Sequence, residues 1–287
     1  MSRTSVRIRE IVPADIEPTI QLLTRGYPNP RWHWEVRFRR LQTRCIPPCC
    51  PRYGYLLEAD DRPVGAILLL YSIRYHGQRQ YMSANLSSWY VEPKFRSYAA
   101  LLTKRAVAQP QVTYLVLSPA PHTYATLEAL GFQRYSQGQV AAFLALARNR
   151  QAKRVRIIRA NRLVDCGLEE KERQLLETQA GHGCIVFCCE MGDRIWPFVF
   201  VPRLVRGAIP CAQLAYCREI SDLVDVAGSV GRYLFSLGRP VVLIDANGPM
   251  PGIPGKYFAG ALPKYYKGVE QPVLGDVAET EITVFGF

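Results

Sequence analysis

The stretch VEPKFRSYAALL (Val91–Leu102) decides how this chain is read, because it leaves an apolar strand, turns at Glu92–Pro93 and enters a helix near Arg96. Upstream, Tyr81–Val91 has strand character, and GYLLEA and VGAILLLYSI form two earlier strands joined at Asp60–Asp61–Arg62, a hairpin turn. Further back, VRIREI alternates as a half-buried strand does, and Pro13 and Asp15 open a helix that Gly26 and Pro28 stop. Arg31–Thr43 suits a second helix, carrying Trp32, Val36 and Leu41 beside a basic side, before IPPCCP forces a loop. Downstream lie a buried strand at Val112–Leu117, a short helix at Thr123–Leu130 closed by Gly131, and a last strand at Gln139–Leu146.

The second half repeats this order. It reads as a strand (Lys153–Ile158), a helix (Leu168–Gln179), the strands CIVFCCE and IWPFVFV across Met191–Arg194, and the strand Cys211–Cys217. A helix follows, with Ile220, Leu223, Val224, Ala227, Val230, Leu234 and Leu237 at helical spacing, and then the strand PVVLID. TEITVFGF is expected to close the chain as a strand. The fold class is α/β (α+β), a mixed central sheet flanked by helices. Two tandem domains are expected, 1–150 and 151–287, joined near Arg148–Lys153; the competing reading is one mixed α/β domain of unrelated topology.

Composition narrows the function classes. With 48% hydrophobic and 21% charged residues among 287, the chain has enough apolar surface for a core. No apolar run approaches the roughly 18–20 residues that span a bilayer, so no membrane span and a cytoplasmic address are expected. Nine cysteines without repeated Cys-x-x-Cys spacing favour reduced thiols, and four scattered histidines show no metal spacing, so no metal is expected. The net charge of +12 is lopsided: 20 basic against nine acidic residues in 1–150, and 16 against 15 in the rest. The first half is therefore the one expected to meet an anion.

With its element order, the segment Val91–Leu102 resembles the cofactor-binding signature of the GNAT acyltransferase superfamily, Val-x-Pro-x-x-Arg-x-x-Gly-x-Gly before a helix. Val91, Pro93, Phe95 and Arg96 fit, and Leu130-Gly131-Phe132 matches a second family feature; together these cover most of residues 5–147. Ala99 and Leu101 replace the two loop glycines. The resemblance implies acetyl-CoA or a longer acyl-CoA as co-substrate, held by Tyr90, Val91, Lys94, Phe95, Arg96, Ser97, Tyr98, Ala99 and Ala100. Its diphosphate would meet first-turn amides of the helix and the charges of Lys94 and Arg96. The pantetheine arm would lie like an extra strand between two splayed central strands, pairing with Val91. The second half has no such loop after Cys211–Cys217, so a degenerate copy is expected there.

Transfer in this family is direct attack of an amine on the thioester, with alignment as the main catalytic device. A backbone amide around Ser88–Tyr90 would meet the thioester oxygen. No Asp or Glu occurs in Tyr81–Val91, so that strand supplies no carboxylate base; Asn85 and Ser87 can position a water. The family's frequent tyrosine acid falls at Leu127, and Tyr124 lies one turn away. Histidine is the usual proton-transfer side chain, and His122, with Ser118, flanks the bend SPAPHT at a strand end, although Ser118, His122 and Thr123 can equally cap the next helix. Asn85, Ser118, His122 and Tyr124 are the catalytic candidates.

IDANGPMPGIPGKYF mimics a phosphate loop, but Met250 stands six before Lys256 and Tyr257 follows it, so it is expected to be a rigid loop, with Asp245 and Asn247 as acceptor contacts. Two functions follow: an acyltransferase acting on an unspecified amine or hydroxyl acceptor, or a non-catalytic module that binds acyl-CoA as sensor or scaffold. Nucleic-acid binding through Arg31–Arg44 would need exposed interleaved aromatics, and Trp32 and Trp34 are expected to pack inside, so no nucleic acid is expected.

Overall fold

A computed structural model describes residues 5–76, 79–148, 155–205 and 207–286. The expected domain junction lies outside these residues beyond Arg148. The first run of elements is β1 (Val6–Glu10), α1 (Ile16–Gly26), α2 (Arg31–Thr43), β2 (Gly54–Ala59), β3 (Arg62–His76), β4 (Arg79–Val91), α3 (Ala99–Ala106), β5 (Val112–Val116), α4 (Tyr124–Ala129) and β6 (Gln133–Ala142). The second is β7 (Arg156–Arg159), α5 (Glu170–Gly181), β8 (Ile185–Met191), β9 (Arg194–Val205), β10 (Ile209–Tyr216), α6 (Ile220–Ser236), β11 (Val241–Ala246), β12 (Gly255–Lys267) and α7 (Glu281–Val284).

Two compact units divide the chain, and the division is not a single cut. The first holds residues 1–133 and 264–271, the second 134–263 and 272–287. In the first unit the strand order is β1-β2-β3-β4-β5, with the last residues of β12 beside β5. All of these neighbours are antiparallel except β4 and β5, which run parallel. In the second unit the order is the beginning of β12, then β6-β11-β10-β9-β8-β7, and β10 and β11 are the parallel pair. β6, the last strand of the first run, thus pairs with β11, while the end of β12 pairs with β5.

Local chemistry accounts for most elements. β3 is buried on both faces from Ala66 to Tyr71, as a central strand's apolar run requires. The β2–β3 turn puts Asp60 (φ 49°) and Asp61 (φ 60°) in the left-handed region, the geometry of a two-residue hairpin loop. Tyr71, Leu86, Tyr114, Phe132 and Tyr265 centre one core, and Phe187, Phe198, Phe200, Leu214, Val230 and Ile244 the other. Phe187 stacks on Phe200 with centroids 5.8 Å apart.

Four expectations change. α2 buries Trp34, Phe38 and Leu41, one stripe at i, i+4 and i+7, and leaves Trp32 62% exposed. The strand expected at Gln139–Leu146 is β6, ending at Ala142, with a 3-10 turn over Leu144–Leu146. The segment expected to be a loop becomes β12 from Gly255. TEITVFGF does not close the chain as a strand: the Thr280 hydroxyl accepts a hydrogen bond from Ile282 N–H and starts the helical turn α7. No helix among the described residues is long and apolar enough to cross a membrane, and the nine cysteines are free thiols.

Candidate functional site

The site grows from β4. This strand pairs with β5 only from Met82–Val112 to Asn85–Leu115, and Leu86–Val91 run on without β5 alongside. At the point of parting the Asn85 side chain is buried and donates from Nδ2 to Leu115 O (3.3 Å) and Leu86 O (3.0 Å). Asn85 therefore ties the apex of the fork. On the other edge the register with β3 slips between Ala66–Tyr90 and Leu68–Ser87, so Ser88 and Trp89 together oppose Ile67. This is a β-bulge, and Ser88 takes φ 52° to make it. A bulge re-aims the amides of Ser88–Tyr90 next to the opened edge.

α1 holds the bulge from one side. Tyr27 donates from its hydroxyl to Trp89 O at 2.9 Å, and its ring lies 5.4 Å from Trp34 and 6.1 Å from Tyr90. Gly26 permits this contact, since a Cβ there would lie 2.5 Å from the Tyr90 ring. Tyr27 did not stand out in the sequence, and Gly26 read there as a helix stop, not as a bed for an aromatic ring.

The turn after β4 is clamped by charge. Glu92 N–H donates to Val64 O (2.8 Å), and its carboxylate accepts two bonds from Arg62 (both 2.9 Å) and one from Arg25 (3.1 Å). Arg62 first and Arg25 second hold the Glu92 carboxyl below its usual range, against the opposing effect of desolvation. A group lowered in this way adds stability that is complete above its unfolded value of about 4.3 and is lost as pH falls through the lower folded value. Wild-type protein should therefore lose thermal stability on the acid side more steeply than Glu92→Gln; parallel Tm–pH profiles would show that the clamp is idle.

Pro93–Tyr98 then forms a 3-10 turn, and α3 begins at Ala99, three residues after the helix start expected near Arg96. Phe95 N–H closes on Glu92 O and Ala99 N–H on Arg96 O. The amides expected to be open within Arg96–Ala100 are thus partly used inside the turn, and the first-turn donors of α3 begin at Ala100. Lys94, Arg96, Ser97 and Ala100 are exposed, whereas Phe95, Tyr98 and Ala99 pack on the core and Val91 is buried in it. Among the candidate cofactor residues, Phe95 and Tyr98 anchor the turn and Lys94 and Arg96 carry its charge.

The candidate proton-transfer groups lie past β5. Ser118 and His122 are exposed. Thr123 turns back, its hydroxyl donating to Ala120 O (2.7 Å), ahead of α4. Tyr124 is half-buried, its ring 5.8 Å from Tyr265, which donates to Glu128 Oε1 (3.2 Å). Asn85 and Ser87 belong to a buried polar row on the sheet face away from the first core, where Ser83 meets Ser72 Oγ (3.0 Å) and accepts from Arg74 Nε (2.9 Å). Lys264, fully buried at the start of the β12 segment beside β5, donates to Leu117 O (3.4 Å). Arg74 and Lys264 escaped the sequence reading: one lies just past the strand run Val64–Ile73, the other past the segment expected to be a rigid loop, which ends at Phe258.

Two weaker candidates have other tasks. Asp245 accepts from Gln139 Nε2 (2.9 Å), and Asn247 accepts from Gln137 N–H (2.8 Å) and donates to Tyr135 O (3.0 Å), so both secure β6. Among the described residues no group of three His, Cys, Asp or Glu side chains could hold a metal.

No protein-family model matches the sequence, and no curated protein does. Solved structures match the fold. A GCN5-related N-acetyltransferase from Anabaena variabilis superposes with a TM-score of 0.60 at 11% identity, covering 91% of this chain and 72% of its own. One from Kribbella flavida gives 0.59 at 15% identity, with 92% and 71% covered. A candidate acetyltransferase of Pyrococcus horikoshii gives 0.55 at 15% identity over 97% and 95%. This chain has the fold of the GCN5-related N-acetyltransferases.

Proposed function

We propose that the chain is an acyltransferase that takes an acyl group from acetyl-CoA or a longer acyl-CoA and passes it to an amine or hydroxyl by direct attack. The observation that carries this reading is the fork: β4 parts from β5 after Asn85, bulges at Ser88, and runs into a turn bearing Lys94 and Arg96. An extended thiol-bearing arm fits the freed edge of Leu86–Val91 as an added strand. Amides of the Ser88–Tyr90 bulge face the thioester oxygen as it gains charge. Asn85 ties the apex of the fork, and with Ser87 it orients a water that takes the amine proton. His122, Ser118 and Tyr124 are the groups proposed to return a proton to the leaving thiolate. The first unit supplies the acyl-CoA site, and the second is a degenerate copy. The nine free thiols suit a cytoplasmic setting.

A second reading, a non-catalytic acyl-CoA sensor or scaffold, draws on two features: β4 offers no carboxylate, and Leu127 stands where a tyrosine acid would. Thermal shift with acetyl-CoA and longer acyl-CoAs, followed by thiol release with a panel of amines, separates the two. Stabilisation with turnover supports transfer, stabilisation alone supports the module, and no stabilisation by any coenzyme A form overturns both.

A further inference from the structure

The second unit contains a fork like the first. β10 and β11 run parallel from Cys211–Val241 to Gln213–Leu243, after which β10 continues to Tyr216 without β11. Gln213 there holds the place that Asn85 holds on β4, the last paired residue before the strands part. The difference is what lies along the freed edge. Cys217 N–H donates to Gly275 O (2.9 Å), Val277 N–H donates to Ala215 O (2.8 Å), and Tyr216 and Asp276 form an antiparallel bridge. Three residues of the chain's own main chain therefore occupy the edge as a short added strand. On β4 the pairing with β5 stops at Asn85, and the strand runs on to Val91.

The added strand is fitted to its place. Gly275 has φ 88°, a conformation that favours glycine, and a Cβ there would lie 2.7 Å from Cys217 Sγ and 3.0 Å from Ile220 Cδ1. Val277 and Ala278 are buried, as are Ile282 and Val284 beyond the Thr280 cap. The helix start beside this fork is also closed to an anion. Glu219 N–H is bonded by Asp222 Oδ2 (3.2 Å), and Ser221 donates to Glu219 Oε2 (3.0 Å), so carboxylates stand where the first unit has Lys94 and Arg96. The cation at that position, Arg218, is held by Glu172, as is the Tyr216 hydroxyl. Main chain fills the place of an arm and carboxylates fill the place of a diphosphate.

We propose that Gly275–Val277 is the built-in ligand of the second fork, an extended peptide bound in cis by strand addition, so that each chain takes up one acyl-CoA and not two. The count of one rests on the reading of the first fork given above; the occupation of the second does not. Hydrogen exchange on the full chain tests the occupation directly: the Cys217 and Val277 amides should exchange about 100-fold or more slowly than amides of an open loop, since both are bonded within a buried strand pair. Loop-like exchange at both would overturn the proposal. Calorimetric titration with acetyl-CoA should give one equivalent per chain, and two would overturn it. No binding would remove the first-fork reading and leave exchange to judge the second. Gly275→Val should expose Cys217, buried in the wild type, to maleimide labelling. If this variant folds and Cys217 stays unlabelled with its amide still protected, the segment is not the lock described; if it does not fold, the wild-type exchange result decides.

Discussion

Replacing Lys94 and Arg96 together by alanine is expected to weaken acetyl-CoA binding by roughly 30- to 100-fold while leaving the melting temperature of the free protein within a degree or two. Both side chains are exposed on the 3-10 turn after β4, and no hydrogen bond or ion pair ties either of them to the described structure, so their removal breaks nothing in the fold. A charge-assisted bond to a diphosphate, reduced for solvent exposure, contributes about 1–1.4 kcal/mol, so two give on the order of 30- to 100-fold. The effect should shrink with salt, because exposed charges are screened beyond about 8–10 Å at moderate ionic strength. Arg96→Ala alone should account for the larger share if this arginine engages two phosphate oxygens at once. Titrations of the wild type, both single variants and the pair, at low and high salt, provide the check. An unchanged affinity in the double variant would place the diphosphate elsewhere.

The 3-10 turn makes this outcome sharper than it would be on an open glycine loop. Where glycines let the backbone wrap a phosphate, amides do most of the holding. Here Ala99 begins α3 with ordinary helical angles, and its amide is already bonded to Arg96 O. Side-chain charge must then contribute a greater part of the grip. Glu92, beside the proposed diphosphate site, is neutralised by Arg62 and Arg25 before any ligand arrives.

Elements whose identity depends on neighbours in sequence were legible. The Asp60–Asp61 turn, the α6 stripe and the strand-to-helix passage at Val91–Leu102 all follow from local period and turn chemistry. Pairing partners were not. The period of a strand says which face is buried but not which strand lies beside it, so nothing in β6 announces that it joins β11, or in Tyr265–Lys267 that they join β5. β12 was hidden by composition, since Gly255, Gly260 and Pro263 read as loop residues. Within the site, Asn85 was visible as a polar residue in an apolar strand, yet its bonds to Leu115 O and Leu86 O are tertiary facts. Lys264 was invisible for the same reason, as its carbonyl partner Leu117 lies 147 residues away.

Gly231→Val should be the most destabilising single change in the second unit, by about 3 kcal/mol or more. α6 crosses the turn Leu144–Leu146 so closely that a Cβ at Gly231 would lie 2.1 Å from Ala145 N and 2.2 Å from Leu144 C; at Gly228 it would lie 2.7 Å from Ala147 O. These neighbours are backbone, so no side chain can swing aside, and overpacking that usually costs about 1–3 kcal/mol should fall at or above the top of that range. A helix favours alanine over glycine by about 1 kcal/mol, so Gly231→Ala recovers part of the loss yet should still be destabilising. Gly181, at the end of α5, has nothing within 4 Å of its Cβ position, and Gly181→Ala should be neutral or slightly stabilising. Denaturant unfolding of the three variants reads this out as shifts in midpoint at unchanged slope. If Gly231→Val unfolds at the wild-type midpoint, α6 does not rest on the 144–147 backbone. The pairing of β6 with β11 would then rest on its own antiparallel register, from Gly138–Ala246 to Ala142–Val242, without the packing of the turn that continues from β6.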